Sequence, residues 1–200
     1  FVQKMQSMAN FPFISANIQD NNGNRIFDPY IIVDSDDLSL GIIGLASPFN
    51  NSEVFVQNPI DALSEFINEV DSQVDIIILL FDSEEADLTK LNTSNFPIDL
   101  IVRSKAKTQS SDGGNKNVPS YSCGDRGKYL YQFDLHYVKP NVKFIDMAFH
   151  EKQISRSQKK LNKMKQDNVV ADLRTMYKDD PMTLKKIDTY ESQIKKAKNA

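Results

Sequence analysis

Three basic residues follow a short apolar run near the middle of the chain. The run at residues 98–102 has the composition of a buried strand, and Arg103, Lys105 and Lys107 lead from it into a polar segment that ends near Asn117. A buried strand that ends in this way commonly delivers its next residues to a ligand site at the edge of a sheet. The ammonium group of a protonated lysine has no lone pair, so these lysines cannot bind a metal ion as cations. What they can supply to a site is positive charge.

The elements that must position these residues alternate between strands and helices. Apolar residues at 60, 63, 66, 67 and 70 repeat with helical spacing, and Pro59 is acceptable in a first helical turn. Residues 74–80 form a nearly continuous apolar run, which is typical of a strand covered on both faces. A short helix is predicted at 84–91, followed by the buried strand at 98–102. The pattern predicts a mixed α/β domain with its loops directed to one edge.

Further strands are predicted on either side of this region. Residues 11–18, 30–33 and 38–45 predict three strands in a meander after a helical remnant at 1–9, and an Asn-Gly turn within 19–24 joins the first two. A second turn is predicted around 34–37. Residues 120–123 and 129–137 predict the closing strands, the latter because its apolar side chains alternate with period two.

The pattern changes from Phe149 onward to two charged helices. Sparse apolar stripes run along 154–177 and 184–194, and the second begins after Asp180, a favourable N-cap, and Pro181, a favourable first helical residue. The stripes predict a hairpin of antiparallel helices, packed against each other or against the preceding domain.

Charge divides the chain at the same place. Residues 151–200 hold 13 Lys and Arg against 7 Asp and Glu, a net +6, whereas the first 150 hold 11 against 20, a net −9. Such a lysine excess is usual for a solvated helix face, and the alternative is a docking surface for an acidic partner or anionic lipid. Nucleic acid is disfavoured because no aromatic or glycine pattern accompanies the lysines.

Composition excludes several other classes. No apolar run approaches the ~18 residues that a membrane-spanning helix needs. No signal peptide is visible, and Phe1 does not resemble a natural start, so we expect a mature form or part of a longer chain. The single Cys123 excludes an intramolecular disulfide and a cysteine-built metal cluster, and it is predicted to be a small strand-end residue.

Five segments, in order, resemble the metallophosphoesterase (calcineurin-like) domain of bacterial 5′-nucleotidases. They are NFPFISANI, FDPYIIVDSDDLSLGIIGLAS, VDIIILLFDSEEADLTKL, FPIDLIVRSKAKT and YSCGDRGKYLYQFDLHYV, and together they cover roughly residues 5–140. The resemblance implies an α/β fold: part of a four-layer α/β/β/α sandwich, at residues 1–148, followed by a basic helical hairpin at 149–200. It also implies that the early motifs of the family domain lie before Phe1, and that the chain is periplasmic or associated with the cell envelope.

The resemblance locates a family metal site that this sequence has altered. The family holds two divalent ions, about 3.5–4 Å apart, with Asp, His and Asn side chains on strand-end loops. Asp82 stands where the family has a histidine, and Lys105 and Lys107 stand where it has the two histidines of a Gly-Gly-His-x-His motif. Asp82 could still bind a metal, but two lysine charges would repel a dication by several kcal/mol at low dielectric. We therefore predict no catalytic residue, no metal ligand and no cofactor.

Neither histidine of the chain replaces the missing ligands. His136 is predicted to be a surface residue on the closing strand, and His150 to lie in a hinge before the helical hairpin.

The sequence therefore favours a catalytically degenerate relative that acts as a binding or scaffold component, with a protein partner engaged through residues 151–200. An anion such as phosphate or a nucleotide could bind Arg103, Lys105 and Lys107, unless these are simply solvent-exposed replacements. One alternative is an active metal-dependent phosphohydrolase whose remaining ligands lie upstream of Phe1. The other is an unrelated α/β interaction domain.

Overall fold

The structure is a computed structural model that describes residues 2–35, 38–104, 118–124, 128, 130, 132–137, 144–165 and 172–199. The chain divides into two compact units, with the boundary between Phe144 and Ile145. The first unit contains all the strands of the described residues, and the second contains the three C-terminal helices. The predicted domain limits of 148 and 149 differ from this division by a few residues, and as limits of a family domain they stay a prediction.

The secondary structure alternates as the sequence predicts. In chain order the elements are α1 (Val2–Met8), β1 (Ile18–Asp20), β2 (Tyr30–Ser35), β3 (Leu38–Ala46), β4 (Val54–Val56), α2 (Pro59–Asp71), β5 (Ile76–Asp82), α3 (Glu85–Thr93), β6 (Leu100–Arg103), β7 (Ser120–Ser122), α4 (Met147–Met164), α5 (Leu173–Met176) and α6 (Pro181–Lys198).

The central sheet has five strands in the order β2-β3-β5-β6-β7. β2 and β3 form an antiparallel hairpin, and the turn predicted between them falls partly on residues 36 and 37, which lie outside the described part of the chain. β3, β5, β6 and β7 run parallel, so their carboxyl ends meet at one edge of the sheet.

One face of this sheet carries the core. Alternate residues of β3 and β5, including Ile43, Leu79 and Phe81, are almost fully buried and cluster with the apolar faces of α2 and α3. The helix α2 begins at Pro59 because the Asn58 side chain caps it, accepting the Ile60 N–H at 2.9 Å. The sequence-based predictions of α2, α3, β2 and β3 are confirmed to within a few residues.

The predicted first strand at 11–18 is largely wrong. Of that range only Ile14 forms an isolated bridge, with Asp28, and Ile18 begins β1. β1 pairs with β4 in a separate two-stranded sheet instead of joining β2, so the three predicted strands do not form a meander. The predicted turn is present: Gly23 has a φ of +83°, which glycine adopts at little cost.

Two buried strands begin later than the apolar runs suggest. The backbone N–H of Ile77 donates to the Asp99 side chain at 2.8 Å, so a carboxylate replaces a main-chain acceptor at that end of the β5–β6 ladder. Similarly, the Asp75 carboxylate accepts the Ser39 N–H at 2.9 Å just before β5 begins. Polar side chains therefore close the amino ends of β5 and β6.

The predicted strand at 129–137 is wrong for the residues that the structure describes there, which are 130 and 132–137. The Phe133 ring packs on Tyr121, with centroids 4.8 Å apart, without strand pairing at Phe133. Period-two spacing alone cannot distinguish a paired strand from a segment without strand pairing.

The second unit is built around the antiparallel helices α4 and α6. Ser157 donates to Gln193 at 3.0 Å, and the Lys160 ammonium lies 4.9 Å from the centre of the Tyr190 ring. Because residues further along α4 contact residues earlier in α6, the two helices run in opposite directions, as the predicted hairpin requires. The helix α6 begins at Pro181 behind the predicted cap Asp180. None of the helices in the described ranges is long and apolar enough to cross a membrane.

The prediction for His150 is wrong. It is the fourth residue of α4, not part of a hinge, and it is 8% exposed. Both of its ring nitrogens are buried without a hydrogen-bond partner. The Phe149 ring lies beside it, with ring centroids 5.7 Å apart, and the charged sequence around His150 does not indicate its burial.

Candidate functional site at the strand ends

The candidate site lies where the parallel strands end. Ser47 follows β3, Asp82 ends β5, and Arg103 ends β6 with Ser104 directly after it. In α/β sheets this carboxyl edge is the usual place for a ligand, because several loops meet there.

Ser47 connects the end of β3 to the start of α3. Its side chain is buried, and its hydroxyl donates to the Asp87 carboxylate at 2.6 Å and accepts the Glu84 N–H at 2.9 Å. Its backbone N–H donates to the carbonyl of Asp82 at 2.8 Å. The β5–α3 loop is therefore fixed to the neighbouring strand by three hydrogen bonds.

Asp82 contacts the residue that follows β6. The Ser104 hydroxyl donates to Oδ1 of Asp82, and the Ser104 N–H donates to the Phe81 carbonyl at 3.2 Å. Asp82 is partly buried. Its carboxylate is thus engaged by a side chain from the adjacent strand.

Arg103 lies beside this pair and is held within the protein. Its side chain is only 9% exposed, although its guanidinium keeps its charge at any physiological pH. Nε donates to the Ser83 hydroxyl at 3.1 Å, and one terminal nitrogen donates to the Glu85 carboxylate at 2.9 Å. Ser83 precedes the N-cap residue of α3, and Glu85 is the first residue of that helix. The Glu85 side chain is 77% exposed, so a nearly buried cation is paired with a solvated anion.

Lys105 and Lys107 lie outside the described residues. Their predicted roles stay predictions. Among the residues that the structure does describe, His, Cys, Asp and Glu side chains form no group of three or more that could hold a metal ion. His136 is exposed, and Cys123 follows β7 with intermediate exposure.

Sequence reasoning missed most of the polar network. Ser47, Ser83 and Ser104 each come immediately after a buried strand end, and that repeated position is the signal that could have identified them. Glu85 and Asp87 lie within the short helix that the sequence predicts at 84–91. Their spacing does not show that each carboxylate turns back toward the strand ends.

A groove of about 570 Å³ opens in the loop between β3 and β4. Its walls include the exposed rings of Phe49 and Phe55. It follows Ser47 in the chain, and none of the side chains that line it is ionisable.

The segment Ser15-Ala16-Asn17 contains a buried asparagine that links three parts of the chain. Its side-chain amide donates to the carbonyls of Ala46 at 2.6 Å and Gln57 at 2.9 Å, and its Oδ1 accepts the Ala46 N–H at 3.0 Å. The residue is fully buried. It joins the N-terminal segment, the end of β3 and the loop before α2 directly behind the candidate site.

Comparison with known proteins gives short but consistent matches. A 45-residue stretch is 44% identical to a 5′-nucleotidase of Vibrio cholerae serotype O1, and a 69-residue stretch is 38% identical to a 5′-nucleotidase of Vibrio parahaemolyticus serotype O3:K6. The predicted resemblance to 5′-nucleotidases is confirmed. The matches cover 22% and 34% of this chain but only 8% and 11% of those relatives. No protein-family model matches the chain.

One solved structure with a TM-score above 0.5 supports the fold. The sulfate thiohydrolase SoxB of Thermus thermophilus superimposes with a TM-score of 0.54 at 18% identity, over 64% of this chain and 26% of that protein. A calcineurin-like phosphoesterase of Bacillus subtilis, YfkN, superimposes with a TM-score of 0.49 at 20% identity, over 61% of this chain and 49% of that one. The fold is a partial metallophosphoesterase-like α/β arrangement with added C-terminal helices.

Proposed function

We propose that this 5′-nucleotidase-like chain is catalytically degenerate and acts as a binding or scaffold component of a larger assembly. The main support for catalytic degeneracy is Arg103, a nearly buried and permanently charged side chain at the carboxyl edge of the parallel strands. A guanidinium cannot bind a metal ion, and it repels a dication placed near Asp82.

The residues present at this edge do not fit a dimetal centre. The Asp82 carboxylate accepts a hydroxyl from Ser104, and Arg103 lies next in the strand. The sequence continues with Lys105 and Lys107, which add two cations and no metal ligand. We derive no hydrolytic step through metal ions for this chain.

A binding role is supported by the division of charge. The acidic first 150 residues and the basic last 50 suit different partners, and the solvated cations of α4 and α6 suit an acidic protein surface. In this proposal the helical unit engages the protein partner, and the chain works in the periplasm or at the cell envelope.

The test is metal-dependent hydrolysis by the purified protein. We expect no turnover of p-nitrophenyl phosphate with Mn²⁺, Zn²⁺ or Mg²⁺ above that of a buffer blank, and no stoichiometric metal after dialysis. Turnover that requires a metal and is abolished by Asp82→Ala would favour the active phosphohydrolase instead. The sequence and fold matches argue against the third alternative, an unrelated α/β domain.

A further inference from the structure

Four basic side chains lie along one face of α4. They are Lys152, Arg156, Lys159 and Lys163, spaced four, three and four residues apart. At 3.6 residues per turn this spacing keeps them within about 60° of one another around the helix, and the helical rise spreads them over roughly 16 Å. All four are exposed, on the side away from the buried His150 and Ser157. We call this surface the cationic face of α4.

The charge of the cationic face is not compensated in the part of the chain that the structure describes. None of its four side chains makes an ion pair or a side-chain hydrogen bond there. Glu151 is the single acidic residue of α4, and it lies about 100° around the helix from Lys152. Like charges four residues apart destabilise a helix, so this face carries a cost that a bound anionic group would remove.

Most acidic side chains of the same unit have other partners. Three of them cap the amino ends of α4, α5 and α6: Asp146, Asp172 and Asp180. Asp188 and Glu191 bind Arg174, at 2.7 and 2.6 Å. An anionic partner for the cationic face must therefore come from outside this unit.

The helix α2 carries a face of opposite charge. Its sequence PIDALSEFINEVD holds four acidic residues and no basic one. Asp61, Glu65 and Glu69 are exposed and lie four residues apart, away from the side that packs into the core. We call these three residues the acidic face of α2.

Two carboxylates of the acidic face keep their charge uncompensated. Asp61 makes no ion pair or side-chain hydrogen bond among the described residues, and Glu69 accepts the neutral hydroxyl of Tyr30 at 2.8 Å. Glu65 pairs with Arg25. The acidic face therefore offers at least two free negative charges, on a rigid helix that the core holds in place.

The chemistry of the cationic face favours an acidic helix over a bilayer. A helix that lies in a membrane interface needs apolar side chains beside its cations, and the exposed large apolar side chain of α4 is Met147, at its first residue. A second helix with carboxylates four residues apart repeats the spacing of the cations. The acidic face of α2 has this spacing, the opposite sign and a length of about 12 Å.

We propose that the cationic face of α4 binds the acidic face of α2 in a second copy of this chain. The inference rests on the binding role proposed above and names the partner of the helical unit. Because the two faces are different surfaces, the contact is heterologous and builds either a closed ring or an open series of copies. Exposed ion pairs each contribute little, so the association is weak, reversible and sensitive to salt.

The experiment is sedimentation equilibrium of the whole chain over a range of protein concentrations. In about 20 mM NaCl we expect the average mass to rise with concentration, and in about 500 mM NaCl we expect a monomer. Lys152→Glu/Arg156→Glu should weaken the association by about ten-fold or more. Lys185→Glu/Lys196→Glu makes the same charge change on the exposed side of α6 and should weaken it by less than about three-fold.

A charge swap tests the two faces together. Asp61→Lys/Glu69→Lys should weaken the association as much as the reversal on α4. The chain that carries all four substitutions keeps the wild-type net charge of −3, because the two reversals cancel, and it should regain most of the association. Thermal melts show whether each variant is folded, and Asp61→Lys alone replaces the α2 pair if loss of the Tyr30 bond prevents folding.

Three results would overturn the proposal: a monomer at every concentration in low salt, equal effects of the α4 and α6 reversals, or no recovery in the chain with both faces swapped. A monomer whose melting temperature falls with salt and recovers in the swapped chain would place the contact within one chain and equally exclude a second copy. Hydrolysis of p-nitrophenyl phosphate is measured on the same samples. Metal-dependent turnover would refute the degenerate function whether or not the copies associate.

Discussion

At the scale of single residues, Asn17 carries more of the structure than its short side chain suggests. Both ends of its amide are bonded to backbone groups that are 29 and 40 residues away in the chain. Leaving these groups buried without partners costs about 1–3 kcal/mol each, so few other residues could replace it.

We expect Asn17→Ala to lower the free energy of unfolding by about 3 kcal/mol, and Asn17→Asp by at least as much, because the aspartate loses both donors and buries a charge. Urea denaturation followed by circular dichroism measures the change. Asn21→Ala is the control, since its single bond to Ser52 is exposed. An Asn17→Ala protein as stable as this control would show that the network contributes little.

Two glycines of β3 have different neighbours: Gly44 lies against backbone atoms and Gly41 against a side chain. Substituting each glycine therefore compares the cost of crowding a backbone with the cost of crowding a side chain. A Cβ on Gly44 would lie 2.3 Å from the carbonyl oxygen of Ile14, whereas one on Gly41 would lie 2.5 Å from a methyl group of Val70. A side chain can rotate away, but the backbone of Ile14 is held by its bridge to Asp28.

We therefore expect Gly44→Ala to destabilise the protein by about 2–3 kcal/mol and Gly41→Ala by about 1 kcal/mol. Chemical denaturation of both variants checks the order. The reverse order would mean that the N-terminal segment moves away more easily than α2.

Two carboxylates at the amino ends of the strands predict opposite responses to pH. Burial raises the pKa of Asp99, and Asp71 raises it further, against the lowering effect of the Ile77 N–H. The hydrogen bonds from the backbone N–H and hydroxyl of Ser39 lower the pKa of Asp75. A raised pKa and a lowered pKa in the folded state have opposite effects on how stability depends on pH.

For Asp99 the folded state holds the proton more tightly, so stability falls as pH rises from the unfolded pKa, about 4, through the raised folded pKa. Asp99→Asn should raise the melting temperature at pH 7 and change it little below pH 4. Asp75→Asn should lower the melting temperature at pH 7, because the folded state favours the ionised form, and this loss should disappear as pH falls through the lowered pKa. Melting curves from pH 3 to 8 compare the two, and shifts of the same sign at pH 7 would contradict this account.

At the scale of elements, the helical unit depends on a narrow seam. Ile187 is fully buried in α6, and the other buried residues of α4 and α6 are His150, Ser157 and Ala197. A seam with so few large apolar side chains has little stability to lose.

We expect Ile187→Ala to cost the helical unit about 2–4 kcal/mol and Ile194→Ala, which is less buried, distinctly less. Hydrogen exchange should show faster exchange of the α4 and α6 amides in Ile187→Ala, while β3 and β5 remain protected. Equal loss of protection in the sheet would show that the two units unfold together.

Strong periodic patterns explain which elements could be predicted. The helical spacing of α2 and the apolar run of β5 both reflect burial on the core face. The structure of region 11–18 could not be predicted, because the side chain of Asn17 makes hydrogen bonds that the backbone of a paired strand would otherwise make. A pattern of hydrophobic residues does not indicate which backbone groups a polar side chain will bond.

At the scale of the whole molecule, the resemblance predicts which edge of the sheet carries the candidate site, but it does not predict the contacts made there. Asp82 and the end of β6 could be placed together because parallel strands end at a common edge. The pairing of Arg103 with Glu85 could not be predicted, because it depends on the direction in which the axis of α3 leaves the end of β5. The same applies to the burial of His150, which the charged residues around it in the sequence do not indicate.

The hydrogen bonds of Asn17 also imply an order in which the parts of the chain fold. The strands β3, β5, β6 and β7 follow one another along the sheet in their chain order, with β4 as the one intervening strand of the other sheet, so the central sheet can form by adding one crossover at a time. The N-terminal segment, by contrast, can dock only where the end of β3 and the loop before α2 already lie side by side. Docking of this segment is therefore a late event, and changes at Asn17 should accelerate unfolding while leaving the folding rate nearly unchanged.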